Sequence, residues 1–281
     1  MNRTDLSIEL KEQEEDSSGI ECESINKELL TVTKIRIVNE KGSKDIGRPI
    51  GTYINIDVPD LCLHGGEYEL LENVIVEGLS CFDFPNEDIL VAGLGNRNIT
   101  PDTLGPATAD SILATRHISK ELKEQTGLCN LKNVSVILPG VLGQTGIETL
   151  EIIKGVIASA NIKGLIVIDA FAASDIKRLA TTIQLCDTGI SPGSGVGNNR
   201  KEISKNTLGI PVIAIGVPTC VDASVLAAAV NPQTSESQKV NMIVTPREID
   251  MLIDRSANVL SRAINFYLQP DTDKELLLSI V

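Results

Sequence analysis

The sequence predicts an α/β fold, a doubly wound and mostly parallel sheet with helices on both faces, preceded by a β-hairpin-like N-terminal region. From about residue 88, short apolar runs alternate with segments of helical spacing, and this alternation is typical of a parallel sheet. Trp is absent and aromatic residues make up only 2% of the 281 residues. A core built mainly from aliphatic side chains suits strands that helices cover on both faces.

The N-terminal part of the chain differs from the rest. Residues 1–30 are acidic and polar, so we expect a weakly structured segment that can be removed. The segments TKIRIV and TYINIDV alternate apolar and polar residues on either side of a polar, Gly-containing stretch. This pattern predicts two strands in a hairpin-like pair. Residues 31–281 are predicted to form a single α/β domain.

Five apolar runs predict the strands of that domain, and three segments predict its helices. The strand sequences are DILVAGLGN, VSVILPG, GLIVIDAF, TTIQLCD and IPVIAIGVPT, and the helical ones are TPDTLGPATADSILATRHISKEL, TGIETLEIIKGVIASA and TPREIDMLIDRSANVLSRAINFYL. Thr145 and Glu148 match a capping box at the start of the second helix. Thr245 and Pro246 match the N-cap and N1 positions of the third. Residues 231–240 are predicted as a polar loop.

Composition and charge exclude several classes of protein. A net charge of −13 argues against direct nucleic-acid binding, which needs clustered Lys and Arg. Six scattered cysteines without a CxxC pair indicate reduced thiols. No apolar run reaches the roughly 18 residues that a membrane span needs, and the first residues do not resemble a signal peptide. We therefore expect a cytoplasmic protein without a cofactor.

Three aspartates lie at or just after predicted strands, namely Asp102, Asp169 and Asp187. Ligands of open α/β sheets bind at the carboxyl ends of the strands. Two carboxylates in one crevice can share a proton, so that one acts as base and the other as acid. Structural roles are the alternative, since Asp102 would complement a helix dipole and Asp169 would cap a turn.

Other catalytic patterns match less well. Asp187-Thr188-Gly189 resembles the pepsin signature, but pepsin-like enzymes are all-β and need two copies. The Gly-rich stretch at 189–197 lacks the phosphate-loop pattern and predicts a mobile surface loop. A hydrolase or phosphorylase that binds an anion there stays open as an alternative. Only two histidines, His64 and His117, occur, without a zinc motif. A serine elbow is also absent, although a Ser–Lys dyad is not excluded.

A family resemblance becomes visible when the longer motifs are read together. They are RTDL (3–6), GLGNRNITPDTLGP (93–106), TRHI (115–118), PGVLGQTGIET (139–149), IDAFAA (168–173), TTIQLCDTGISPGSGVGNNRKEISKNTLGIPVIAIGVPT (181–219) and VDA (221–223). In order and spacing they resemble the germination protease family of spore-forming bacteria. The resemblance covers most of residues 88–223.

The resemblance implies an activity, partners and a site. The family's fold is similar to that of the hydrogenase-maturation endopeptidases and belongs to the phosphorylase- and hydrolase-like group. The implied protein is a homotetrameric endopeptidase of the spore-core cytoplasm, made as a zymogen, that degrades small acid-soluble spore proteins. The catalytic residues implied by the TPD and IDA motifs are Asp102 and Asp169, with Asp187 and Asn96 as supporting candidates. The propeptide junction implied by RTDL is Asp5–Leu6.

Two points about the chemistry stay open at this stage. No metal is expected, but a metal-assisted enzyme of the maturation type is an alternative. Within the aspartate pair, the helix N-terminus predicted around Asp102 favours its ionised form. Burial against the aliphatic residues 165–168 favours the protonated form of Asp169. We therefore expect Asp102 to be the base and Asp169 the protonated partner.

Overall fold

The computed structural model describes residues 4–12, 18–59, 68–126, 128–193, 200–230 and 242–280. The strands are β1 (Ile20–Lys27), β2 (Leu30–Ile37), β3 (Gly51–Asp57), β4 (Ile89–Gly93), β5 (Val134–Ile137), β6 (Gly164–Ala173), β7 (Thr182–Cys186), β8 (Val212–Asp222) and β9 (Ile243–Val244). The helices are α1 (Ser7–Lys11), α2 (Glu40–Ile46), α3 (Tyr68–Ser80), α4 (Leu104–Asp110), α5 (Lys120–Gln125), α6 (Leu142–Thr145), α7 (Thr149–Ala160), α8 (Lys205–Leu208), α9 (Ala223–Val230), α10 (Ile249–Leu268) and α11 (Lys274–Ile280). Two 3₁₀ turns cover Thr100–Asp102 and Ile176–Arg178.

The strands of the described residues form one mixed sheet in the order β1-β2-β3-β7-β8-β6-β4-β5, with β9 paired to β8. Strands β5, β4, β6 and β8 run parallel. The remaining pairs are antiparallel. The predicted α/β class is confirmed. The chain leaves β4 for β5 on one side and later returns to β6 on the other. The carboxyl ends of β4 and β6 therefore border a topological switch point, where open sheets bind ligands.

Helices cover both faces of the sheet, as predicted. On one face, Ile89 and Val91 of β4 belong to the same buried cluster as side chains of α3, α4 and α10. On the other face, Leu90 and Ala92 belong to a cluster with α1, α2 and α7. Successive side chains of a strand point to opposite faces, so an uninterrupted aliphatic run such as ILVA supplies both cores.

The N-terminal segment is more ordered than its acidic composition predicts. Leu6 and Ile8 are buried, and all eight residues of β1 pair with β2. The Glu9 carboxylate accepts hydrogen bonds from the N–H groups of Ser174 and Asp175. The prediction of weak structure is therefore wrong for residues 4–12 and 20–27. The division of the chain at residue 30 and the removal of the segment stay predictions.

The predicted pairing of TKIRIV with TYINIDV is present as the antiparallel pair β2–β3. The connection is not a tight turn, because α2 lies between the two strands. Asn39 caps this helix by accepting a hydrogen bond from the Gly42 N–H at 2.9 Å. The sheet continues from β3 to β7, which joins the N-terminal strands to the α/β part.

The length predicted for the helix after β4 is wrong. Only Leu104–Asp110 is α-helical, and the chain then turns until α5. Asn265 of α10 explains the stop, because its side chain accepts from Leu113 N and donates to Ser111 O, both at 2.9 Å. A side chain more than 150 residues away thus replaces the helical hydrogen bonds. His117 lies in the turns before α5 and not in a helix.

The predicted starts of the two later helices are also corrected. The capping box of Thr145 and Glu148 is not formed, because α6 ends at Thr145 and α7 begins at Thr149 without a side-chain cap. The last long helix begins at Ile249. Thr245 does not cap it, because its hydroxyl donates to Thr219 O of β8 at 2.9 Å.

Two predicted loops lie wholly or partly outside the residues that the structure describes. The predicted polar loop at 231–240 lies outside the described residues, as does part of the Gly-rich stretch.

Among the helices in the described part of the chain, none combines the length and apolarity required to cross a membrane.

Candidate active site

A cavity of about 490 Å³ opens at the carboxyl ends of β4 and β6. Asp102 and Asp169 both line it, as the strand-end rule predicts, and so does Asn96. Its walls are otherwise mainly apolar side chains and backbone from the loops that follow the strands. The residues that line the walls include Asp5, Ile99, Glu148, Arg200, Cys220 and Ile243.

Asp102 is positioned by the loop that leaves β4. Gly95 has φ +119°, and a Cβ on it would lie 2.0 Å from Asp102 O, so the close approach requires glycine. The loop then returns the Asn96 N–H to the Asp102 carboxylate, where it donates to Oδ2 at 2.7 Å. Burial raises the pKa of Asp102, and the hydrogen bond from Asn96 opposes that rise. A loop N–H that the sequence did not predict thus stabilises the ionised form of Asp102.

Close contact between α4 and the sheet sets the distance of Asp102 from β6. Gly105 lies against the ends of β4 and β6, where an added Cβ would meet Leu94 O at 2.2 Å and Ile168 O at 2.4 Å. The Thr219 hydroxyl of β8 also donates to Pro101 O at 2.7 Å. These contacts fix the 3₁₀ turn that carries Asp102 above β6.

We expect Gly105→Ala to destabilise the protein by about 1–3 kcal/mol, because neither carbonyl can move without displacing a strand end. The matched control is Gly155→Ala in α7, where a Cβ has nothing within 4 Å and alanine favours the helix. Urea unfolding compares the two variants. Equal stability of Gly105→Ala and Gly155→Ala would contradict the close contact.

Asp169 lies inside β6, not after it, and pairs in register with Gly216 of β8. It is 6% exposed, and its Oδ1 accepts from Ala170 N at 3.0 Å. Burial holds the pKa of Asp169 well above its usual range, and the negative charges of Asp102 and Asp5 raise it further. Burial and the neighbouring charges thus favour the protonated form of Asp169, while the assignment of acid and base within the pair stays a prediction.

Asp5 supplies a third carboxylate that sequence reasoning did not place in the site. Its N–H donates to Ala172 O at 2.9 Å, and its Oδ2 accepts from Ala172 N, also at 2.9 Å. A register shift in the β6–β8 pairing occurs between Phe171 and Ala172. The sequence carries no signal for this contact, because it joins residues 167 positions apart.

The two supporting candidates lie in different places. Asn96 lines the cavity, and its Oδ1 accepts from Gln144 Nε2 at 2.6 Å, which ties the loop after β4 to α6. Asp187 is not among the residues that line the cavity. Its Oδ1 accepts from Thr52 N at 2.8 Å, so it holds the start of β3 beside the end of β7. A supporting role of Asp187 in catalysis stays a prediction.

Residues that the sequence did not single out complete the walls. Arg200 brings a cation to a cavity that also holds Glu148. Cys220 contributes a thiol whose pKa burial raises to about 11, so it stays protonated and unreactive near neutral pH. Among the described residues, no group of three or more His, Cys, Asp and Glu side chains has the arrangement of a metal site. His117 is not in the cavity lining, and His64 lies outside the described residues.

Comparison with known proteins places these features in a family. Residues 1–231 match the family model described as germination protease. The germination protease of Caldanaerobacter subterraneus subsp. tengcongensis is 41% identical, over 98% of this chain and 96% of that protein. The Clostridium perfringens germination protease is 36% identical, over 96% and 95%. That of Bacillus cereus is 43% identical over 79% of this chain and 63% of its own length.

Among solved structures, a [NiFe] hydrogenase maturation protease, HycI of Thermococcus kodakarensis, aligns with a TM-score of 0.37 and 16% identity. The alignment covers 69% of this chain and 98% of that one. The sequence matches decide the assignment, since two of them cover 96–98% of the chain at 36–41% identity. The chain belongs to the germination protease family.

Proposed function

We propose that this protein is an endopeptidase that cleaves its substrate with Asp102 and Asp169 as an acid–base pair. The observation that carries the proposal is that both carboxylates line one cavity, while their environments differ. Each carboxylate accepts one backbone N–H, but Asp102 is half-buried, whereas Asp169 is nearly fully buried beside two other carboxylates. Two titratable groups whose pKa values are pushed apart are the arrangement that acid–base catalysis needs.

In this mechanism Asp102 removes a proton from a water molecule as the water attacks the peptide carbonyl carbon. Asp169 donates its proton to the carbonyl oxygen, which gives a tetrahedral intermediate with two hydroxyl groups. When this intermediate breaks down, the proton held by Asp102 passes to the leaving nitrogen, and one hydroxyl group returns a proton to Asp169 as the new carbonyl forms. After product release the pair again shares one proton. The apparent pKa values of the pair belong to both residues together.

The proposed substrates are the small acid-soluble spore proteins of germination, as the resemblance implies. The cavity fits an extended polypeptide, because exposed aliphatic side chains such as Ile99 and Ile243 flank the carboxylates. Arg200 offers a partner for an acidic substrate side chain. The net charge of −13 opposes direct binding to nucleic acid, so the protein substrate itself is the expected partner.

We further propose that the chain is a zymogen cut between Asp5 and Leu6, and that it works as a homotetramer in the cytoplasm of the spore core. The position of Asp5 supports the junction, because its side chain lines the same cavity as the two aspartates. Intact mass before and after activation identifies the cut. Light scattering at micromolar concentration tests the tetramer, and a monomer there would reject it.

The direct test is to incubate the purified protein with a small acid-soluble spore protein and to map the fragments by mass spectrometry. We expect a few defined cuts, which the matched Asp169→Asn variant does not make. Insensitivity of the cuts to the Asn replacement, together with loss under chelators or thiol and serine reagents, would reject the aspartate mechanism.

The pH dependence of cleavage provides a second test. Activity should fall at low pH, where Asp102 becomes protonated, and at high pH, where Asp169 loses its proton. Because the pKa of Asp169 is raised well above its usual range, we expect the alkaline limb well above the ordinary aspartate value of about 3.9. An alkaline limb belongs to the pair if it is lost in Asp169→Asn, measured under single-turnover conditions. A wild-type profile without such a limb would contradict the assignment.

A further inference from the structure

The proposed cut between Asp5 and Leu6 would create an α-amino group at Leu6, one peptide bond from a residue that lines the cavity. The inference about this group rests on that proposed cut. Hydrolysis adds one water across that bond. The C–N bond breaks, the hydroxyl joins the Asp5 carbonyl carbon, and a proton goes to the Leu6 nitrogen. At neutral pH the new terminus is an ammonium group, and the released Asp5 ends in a carboxylate.

Leu6 would stay in place after the cut because its anchors are downstream of the bond. Its side chain is fully buried in the cluster that covers one face of the sheet. Ser7 N donates to Gln184 Oε1 at 2.7 Å, and Asn55 Nδ2 donates to Ser7 Oγ at 3.2 Å. Glu9 is held by the N–H groups of residues 174 and 175. The released peptide carries none of these contacts.

The cut removes the present partners of the Leu6 nitrogen and frees acceptors near it. Leu6 N now donates to Thr4 Oγ1 at 3.0 Å, and Thr4 leaves with the peptide. Ala172 O, which now accepts from Asp5 N, becomes available. Ala172 lies three residues beyond Asp169 on β6. The Leu6 nitrogen is only one peptide bond from Asp5, which shares the cavity with both aspartates.

We propose that the Leu6 ammonium group formed by the cut takes the place of the Asp5 carboxylate beside the Asp102–Asp169 pair and changes the pH range in which that pair can act. The local change is from one negative charge to one positive charge. The other charged or titratable groups that line the cavity are Glu148, Arg200 and Cys220, and the cut alters none of them. Before the cut, the Asp5 charge is one of the causes that raise the pKa of Asp169. Removal of that charge and addition of a cation both lower it.

The experiment compares three forms of the cut protein, each folded with a leader that a site-specific protease then removes. The first form begins at Leu6. The second keeps one extra glycine ahead of Leu6, which moves the ammonium group by up to about 3.6 Å. The third is the first form carbamylated with cyanate near pH 7, where the α-amine, with its lower pKa, reacts before lysine. Intact mass verifies each form.

Two readouts are used on all three forms, namely the pH profile of kcat on a peptide substrate and a ¹³C NMR titration of the aspartate carboxyl carbons. The Asp169 signal is assigned by its loss in Asp169→Asn. We expect the form that begins at Leu6 to have about tenfold more ionised Asp169 at a given pH on the titration limb, since a nearby opposite charge lowers a carboxyl pKa by about one to three units. The other two forms should share the higher pKa.

Identical titrations and pH profiles in the three forms would overturn the inference, because a merely structural N-terminus would be insensitive to the charge. Failure of the proposed function is distinguishable from this outcome. If the cut does not occur, the full-length chain keeps its original mass under activating conditions. If the aspartate mechanism is wrong, the form that begins at Leu6 cleaves no peptide, although its Asp169 still titrates differently from Asp169 of the glycine form.

Discussion

Replacing Asp169 by Asn is expected to lower the rate of substrate cleavage by about 10²–10⁴-fold, because this is the usual contribution of general acid–base catalysis. Asn keeps the shape of the side chain and removes the exchangeable proton. Asp102→Asn should cost a comparable factor, and the double variant should be little worse than either single one, since residues that act as a unit are not additive. Single-turnover cleavage of the spore protein measures the loss.

The stability of Asp169→Asn provides the control that the loss is chemical. The pKa of Asp169 is raised in the folded protein, so its contribution to stability is fully present below the unfolded value of about 3.9 and is lost as pH rises through the folded value. The Asn variant avoids this loss. We expect its Tm to match the wild type near pH 4 and to exceed it near pH 7, with a gain of about 0.5–2 kcal/mol. A variant that is inactive and also unstable at pH 7 would contradict the assignment.

Replacing Arg262 by Met should destabilise the protein by about 3 kcal/mol. Arg262 of α10 lies 2.9 Å from the Glu72 carboxylate of α3, whose side chain is only 3% exposed. Burial raises the pKa of Glu72, and the charge of Arg262 opposes that rise. Without Arg262 the carboxylate is left buried and unpaired, which costs about 3–5 kcal/mol. We take the lower end because the Arg262 side chain is one-third exposed.

Two variants and one change of pH test this explanation. Arg36→Met breaks the exposed pair with Glu21 and should cost no more than about 1 kcal/mol. The double variant Glu72→Met/Arg262→Met should recover most of the lost stability, since a buried ion pair is often replaceable by apolar residues. The deficit of Arg262→Met should shrink as pH falls toward 4, because Glu72 then becomes neutral in the folded state. A deficit that persists at pH 4 and in the double variant would indicate lost packing instead.

The parts of the fold that were predictable from sequence depend on local patterns. The aliphatic runs of β4, β6 and β8 mark buried strands because both faces of each strand must be apolar. Once those strands are known, Asp102 and Asp169 follow from the rule that ligands bind at carboxyl ends. That β4 and β6 are neighbours, and so bring both residues to one cavity, is known from the structure.

The features that were missed depend on contacts between distant residues. The hydrogen bonds of Asn265 determine where α4 ends, and no residue near α4 in the sequence indicates this contact. The direction of β7 is likewise not encoded in its own sequence, because an apolar strand fits a parallel or an antiparallel neighbour. Asp5 enters the site through main-chain pairing with Ala172, which local propensity does not reveal.

The pairing of Asp5 with Ala172 has a kinetic consequence. A tethered segment occupies its site at an effective concentration in the millimolar range, so in the uncut chain any added peptide that needs the Ala172 backbone competes with a linked occupant. Added substrate should therefore show a higher apparent KM before the cut than after it. The cut itself should be first order in protein. Dilution would then slow the digestion of added substrate but leave the half-time of self-cleavage unchanged.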